Sequence, residues 1–128
     1  MTHAAIIDYC LQKPFSYLDF PFDPFIPILK VKAPSQAKGR IYAQIITLHG
    51  EPKVTLNCTP ASADFYRSVY PDSVVRGWHC PPVMQPHFNT VNLDGAVPDD
   101  EIRQMIDQAY DTVVAKMPKY AQRELREG

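Results

Sequence analysis

No surplus of either charge marks this 128-residue chain: 13 lysines and arginines stand against 14 aspartates and glutamates, a net charge of −1 with histidines neutral. Nucleic-acid binders usually carry a basic excess, because neutralising phosphates releases counterions and supplies most non-specific affinity. Binding of that kind therefore requires the charges to segregate onto separate faces. Long apolar runs are missing too, and nothing approaches the roughly 20 residues of a membrane-spanning helix, so no membrane partner is expected. The first residues, "MTHAAIIDYCLQKP", lack the basic region and small-residue cleavage site of a signal peptide. Cysteine is scarce, three residues at wide spacing. An odd, scattered set argues against a disulfide framework and points to a cytoplasmic location. There is no glycine-rich phosphate loop, nucleophile elbow or paired-carboxylate motif, so no enzyme activity and no cofactor are expected.

Apolar residues make up 45% and charged residues 21% of the chain, which suits one domain with a modest core. Proline is abundant, with 13 residues that fix turns and break up regular structure in the centre. Residues 3 to 13 read as a helix with Ala4, Ile7 and Leu11 on one stripe, stopped by Pro14. "PFSYLDFPFDPFIP" reads as an aromatic loop laying Phe15, Phe20, Phe22 and Phe25 over the core edge. Three alternating runs follow: "ILKVK", "RIYAQIITL" with Ile41, Ala43 and Ile45 inward and Tyr42 outward, and "KVTLNC" with Val54, Leu56 and Cys58 inward. Period two with a polar face describes an antiparallel meander joined by "APSQAKG" and "HGEP". Thr59 then caps a helix that has Pro60 at its first position and Ala61, Phe65 and Val69 inward. "SVVRGW" and "FNTVNLD" read as two more strands. The last helix is the clearest, with Ile102, Met105, Ile106, Ala109, Tyr110, Val113, Val114 and Met117 at helical spacing. The fold class is α+β: an antiparallel sheet of about five strands with helices packed on one face. The domain is expected over 1–120, followed by a C-terminal tail over 121–128.

The stretch "GWHCPPVMQPHFNTVNLDG", residues 77 to 95, concentrates unusual chemistry. His79, Cys80 and His87 lack the paired spacing of a structural zinc site, so no metal is expected. Cys80 with His79 or His87 and Asp94 could form a thiolate–imidazole pair, but no supporting motif accompanies it. Trp78 as a core anchor explains part of the stretch. The gathering of Arg76, His79, His87, Asn89 and Asn92 is better explained by a rigid recognition loop.

The second half resembles the MmcQ/YjbR family of small bacterial proteins. The resemblance rests on Cys58 and Pro60; on Tyr70, Pro71, Gly77 and His79; and on "HFNTVNLDG" from His87 to Gly95. It continues through "YDTVVAKMPK", and upstream "KPFSYLDFPF" and "GRIYAQI" extend it over about 1 to 120. Phe88, Trp78 and Cys80 depart from the family's tryptophan, tyrosine and methionine, and Asn57 stands where a lysine is usual. The resemblance implies a frataxin-like α+β fold, compared also with the double-wing DNA-binding domain of the phage transcription factor MotA. It implies a DNA-binding role by structural analogy.

The function expected is a non-enzymatic binding module with DNA as partner, or alternatively a protein-interaction or small-ligand module. The expected footprint is an outward row of Lys30, Lys32, Lys38, Arg40 and Lys53, continued by Arg76, His79 and His87. Such a row would position phosphates while Asn89 and Asn92 reach base edges. For the alternative, Trp78, Phe88 and Tyr42 would line a pocket.

Overall fold

The computed structural model describes residues 1–127. Thr2 caps helix α1 (His3–Leu11), accepting from the Ala5 amide at 3.1 Å. Strands β1 (Ser16–Asp19), β2 (Ile28–Val31), β3 (Arg40–Leu48) and β4 (Glu51–Asn57) follow. Helix α2 (Pro60–Val69) begins as the sequence dictates, with Thr59 accepting from the Ser62 amide and Pro60 in the first turn. Strand β5 (Val74–Arg76), a 3-10 turn (Gln85–His87), strand β6 (Phe88–Asn92), helix α3 (Asp99–Ala115) and helix α4 (Lys119–Glu127) complete the chain. The strands form one antiparallel sheet in the order β1-β2-β3-β4-β6-β5.

Six strands replace the expected five because "SYLD", read as loop between prolines, pairs with β2 from Ser16↔Val31 to Asp19↔Ile28. The hairpin between β3 and β4 turns on His49 and Gly50, whose φ values of 53° and 78° are those of a two-residue primed turn. A bulge shifts the β2–β3 register from Leu29↔Ala43 to Lys30↔Ile41. The extra residue carries Tyr42 into the core instead of outward, where its ring meets Tyr110 edge to face at 5.5 Å. The Tyr42 hydroxyl reaches Ser16 Oγ at 2.5 Å and donates to the Cys10 carbonyl at 3.3 Å.

Helix α3 buries Ile102, Met105, Ile106, Ala109, Tyr110 and Val113 against the sheet, with Val114 at the margin. The other helices present stripes one step out of phase with the expected ones. On α1 the buried residues are Ile6 and Cys10, and Leu11 is exposed. On α2 they are Ala63 and Tyr66, while Ala61, Phe65 and Val69 face water. The segment expected as a tail is α4, which inserts Ala121 and Leu125 into the core. A polar latch joins α1 to α3: Lys13 Nζ lies 2.5 Å from Asp107, and the Tyr9 hydroxyl donates to the same carboxylate at 2.8 Å. Lys13 also sits 5.3 Å from the ring centres of both Tyr9 and Tyr110, close enough for cation–π attraction.

The loop from Phe20 to Pro27 does not cover the core as expected. Phe20 is exposed, and Phe22 and Phe25 are 73% and 88% exposed, while Phe15 alone packs against the core. Replacing Phe22 and Phe25 with serine is therefore expected to change stability by less than about 0.5 kcal/mol in urea unfolding. Among the described residues no helix is long and apolar enough to cross a membrane.

Candidate functional site

Cross-strand partners share a face, so the register sorts the polar residues. Val54↔Val91↔Val74 point to the helices, and so do Leu56↔Asn89↔Arg76. Tyr17↔Lys30 and Lys53↔Asn92 point away from them. The expected continuous outward row is therefore broken: Arg40, opposite the core residue Val31, and Arg76 lie on the helix-facing side, and the cations gather in two patches. Lys30 on β2 and Arg76 on β5 are four strand steps apart, roughly 19 Å at about 4.8 Å per step.

The first patch lies at the β1–β2 side of the sheet. Tyr17, Lys30, Lys32, Lys38 and Gly39 line a cleft of about 540 Å³. Lys38, Gly39 and Arg40 line an adjoining one of about 510 Å³ with Tyr120 of α4. Lys30 donates to Asp19 at 2.9 Å, and that hydrogen bond, helped by one from the Phe20 amide, holds the carboxyl below the ordinary aspartate range. Lys32, Lys38 and Arg40 form no ion pair among the described residues. Nearby Glu124 is engaged by the Ser35 amide at 2.9 Å. Lys53 belongs to neither cleft and pairs with Glu51 at 3.5 Å.

The second patch surrounds the proline-rich loop, and its centre is a residue the sequence reading passed over. Arg67 of α2 donates Nε to Asn89 Oδ1 at 2.7 Å and Nη2 to the carbonyls of Gln85 and Phe88 at 2.6 and 2.8 Å. Asn89 also donates to the Ala63 carbonyl at 3.2 Å and is 4% exposed. Its expected reach to a base edge is closed off, because its amide is committed to α2. Arg76 stays exposed and donates to Gln85 Oε1 at 3.2 Å. His79, at φ 58°, is exposed and stacks edge to face on Trp78 at 4.1 Å. The Trp78 amide donates to Thr90 Oγ1, whose hydroxyl also meets Thr55 Oγ1 at 2.8 Å. Trp78 is 39% exposed and therefore no core anchor. His87 is half-buried and joins the network through its backbone, its carbonyl accepting from the Cys58 amide at 2.8 Å. Phe88 is half-buried on the outer face beside Asn57, and Asn92 donates to Asp94 at 3.0 Å. Tyr42, buried under α1 and α3, is apart from Trp78 and Phe88, so those three line no common pocket.

Among the described residues no group of three histidine, cysteine or acidic side chains converges. Burial pushes the Cys58 thiol up to about 11 and also raises Cys80, which favours the protonated, weakly nucleophilic form of both. Gly77 is set by close approach rather than by φ. A Cβ there would lie 2.6 Å from Cys80 Sγ and 2.7 Å from Phe88 Cβ. Gly77→Ala is expected to cost about 2 kcal/mol in chemical unfolding, the usual range for forcing a methyl into a packed site.

The architecture defines a small α+β domain whose helices cover one sheet face and leave basic and polar residues at its two ends. The family model described as YjbR matches residues 11–112, and the chain belongs to the YjbR family. It is 27% identical over 119 residues to the Escherichia coli K12 protein YjbR, covering 93% of this chain and 92% of that one. The crystal structure of Deinococcus radiodurans protein DR2400, a DUF419 domain, is similar at TM-score 0.85 and 30% identity, covering 98% of this chain and 88% of that one. A Pseudomonas syringae protein shares the fold at TM-score 0.68 and 18% identity, covering 88% of this chain and 99% of that one.

Proposed function

We propose that the protein is a non-enzymatic binding module that holds the phosphate backbone of DNA at the β1–β2 end of the sheet. The observation that carries this reading is the convergence of Lys30, Lys32 and Lys38 on one cleft, with Arg40 on the next. Three of these four cations lack an acidic partner among the described residues, so their charge is available to phosphates. The near-neutral composition is accommodated because acids such as Asp99 and Asp100 gather at the start of α3 instead. Contacts of this kind position a duplex without reading its sequence. Fluorescence anisotropy with a labelled duplex tests it: binding is expected to weaken steeply with salt and to be indifferent to sequence. A duplex bound with no salt dependence would count against it.

A second reading, a protein-interaction surface, is favoured by the exposed Phe22 and Phe25 on the loop between β1 and β2. It predicts salt-insensitive capture of a partner that Phe22→Ser and Phe25→Ser abolish.

A further inference from the structure

A cleft of about 620 Å³ lies between the start of α2 and the 3-10 turn, far from the β1–β2 patch. Arg67 and Arg76 both line it, and Asp64 is the one acid on its walls. We propose that this cleft binds a small phosphate monoester, the two guanidinium groups gripping the phosphate and the organic part resting on Pro60, Pro82 and Pro86. The proposal does not depend on DNA binding.

Gln85 is what brings the two arginines together. Its carbonyl accepts from Arg67 Nη2 and its Oε1 accepts from Arg76 Nη1. Its Nε2 donates to the Cys80 carbonyl at 3.3 Å, so the amide is oriented with its oxygen toward Arg76. The bonds to Asn89, Gln85 and Phe88 use Nε and Nη2 of Arg67 and leave Nη1 without a protein partner. Arg76 keeps Nε and Nη2 free in the same way. Neither arginine forms an ion pair among the described residues. Two planar forks, one held rigid, over one cleft are suited to an oxyanion with several acceptor oxygens. The volume falls within the range of small-ligand sites, about 300–1,000 Å³. The proline walls offer an apolar surface that loses little entropy on contact.

The test is a titration with phenyl phosphate, with phenol as control, read by NMR at the Nε–Hε signals of Arg67 and Arg76 and the side-chain amide of Gln85. Phenyl phosphate is expected to shift all three saturably and phenol none. Arg76→Gln, at an exposed residue that leaves folding intact, is expected to weaken binding about tenfold, the loss of one charge-assisted contact. Lys32→Glu should leave it unchanged. A short duplex with 5′-phosphates, compared with its 5′-hydroxyl form, distinguishes a polymer end from a free monoester as the source. Unsaturable shifts, equal binding by Arg76→Gln, or shifts confined to the Lys32 and Lys38 region would overturn the proposal.

Discussion

Arg67→Ala is expected to cost about 3 kcal/mol of folding stability and to release the loop between Gly77 and His87 from α2. The side chain makes three bonds of 2.6 to 2.8 Å, and removing it leaves Asn89 Oδ1 and the carbonyls of Gln85 and Phe88 without their donor. Each charge-assisted bond contributes about 1.5 kcal/mol or more, and unpaired buried acceptors add a desolvation cost. Water reaching the loop offsets part of the sum, which is why the expected figure is below the total of the three. Urea unfolding gives the stability change, and hydrogen exchange should show the Cys58 amide, bonded to His87, losing protection. Arg67→Lys should recover little, because an ammonium cannot span the three acceptors. A loss below about 1 kcal/mol would mean that the guanidinium does not hold the loop.

The double reversal Lys32→Glu, Lys38→Glu is expected to weaken duplex binding about a hundredfold. Two phosphate contacts at about 1.4 kcal/mol each give that factor, and introduced carboxylates add repulsion. Lys38 is exposed and Lys32 half-buried, both on a surface cleft and neither in an ion pair among the described residues, so stability should change by less than about 1 kcal/mol. The loss should be the same for unrelated sequences, as befits backbone contacts. The same reversal at Arg76 should have a much smaller effect, since it sits at the other end of the sheet.

The sequence exposes most plainly those elements in which local and global signals agree. Helix α3 combines a sustained apolar stripe with Asp99, Asp100 and Glu101 in its first turn, and its buried face was legible but for Val114, which stays at the margin. Helix α2 was legible in its start, through Thr59 and Pro60, but not in its phase. Its inward stripe carries Arg67 four residues after Ala63, and a charged residue on a buried stripe makes sense only once Asn89 is known to face it. That partner was within reach: Asn89 alternates in phase with Val91 on β6, so an inward Val91 implies an inward Asn89. Helix α4 was hidden because "KYAQRELRE" offers only Ala121 and Leu125 as buried anchors amid charges. The bulge at Tyr42 reverses the alternation on its N-terminal side, so Ile41, expected inward, lies opposite the outward Lys30, while Ala43 and Ile45 keep the inward places the residues describe. The split of the basic row follows from strand order, with β6 between β4 and β5, and no local pattern encodes that order.

The most direct test of the account is titration of the labelled protein with a DNA duplex, followed by amide NMR and anisotropy at about 50 and about 200 mM salt. The prediction is that shifts cluster at Tyr17, Lys30, Lys32, Lys38 and Arg40, with affinity falling about 40-fold between the two salts for roughly three neutralised phosphates. Saturating duplex at low salt that leaves those five residues unshifted would contradict it.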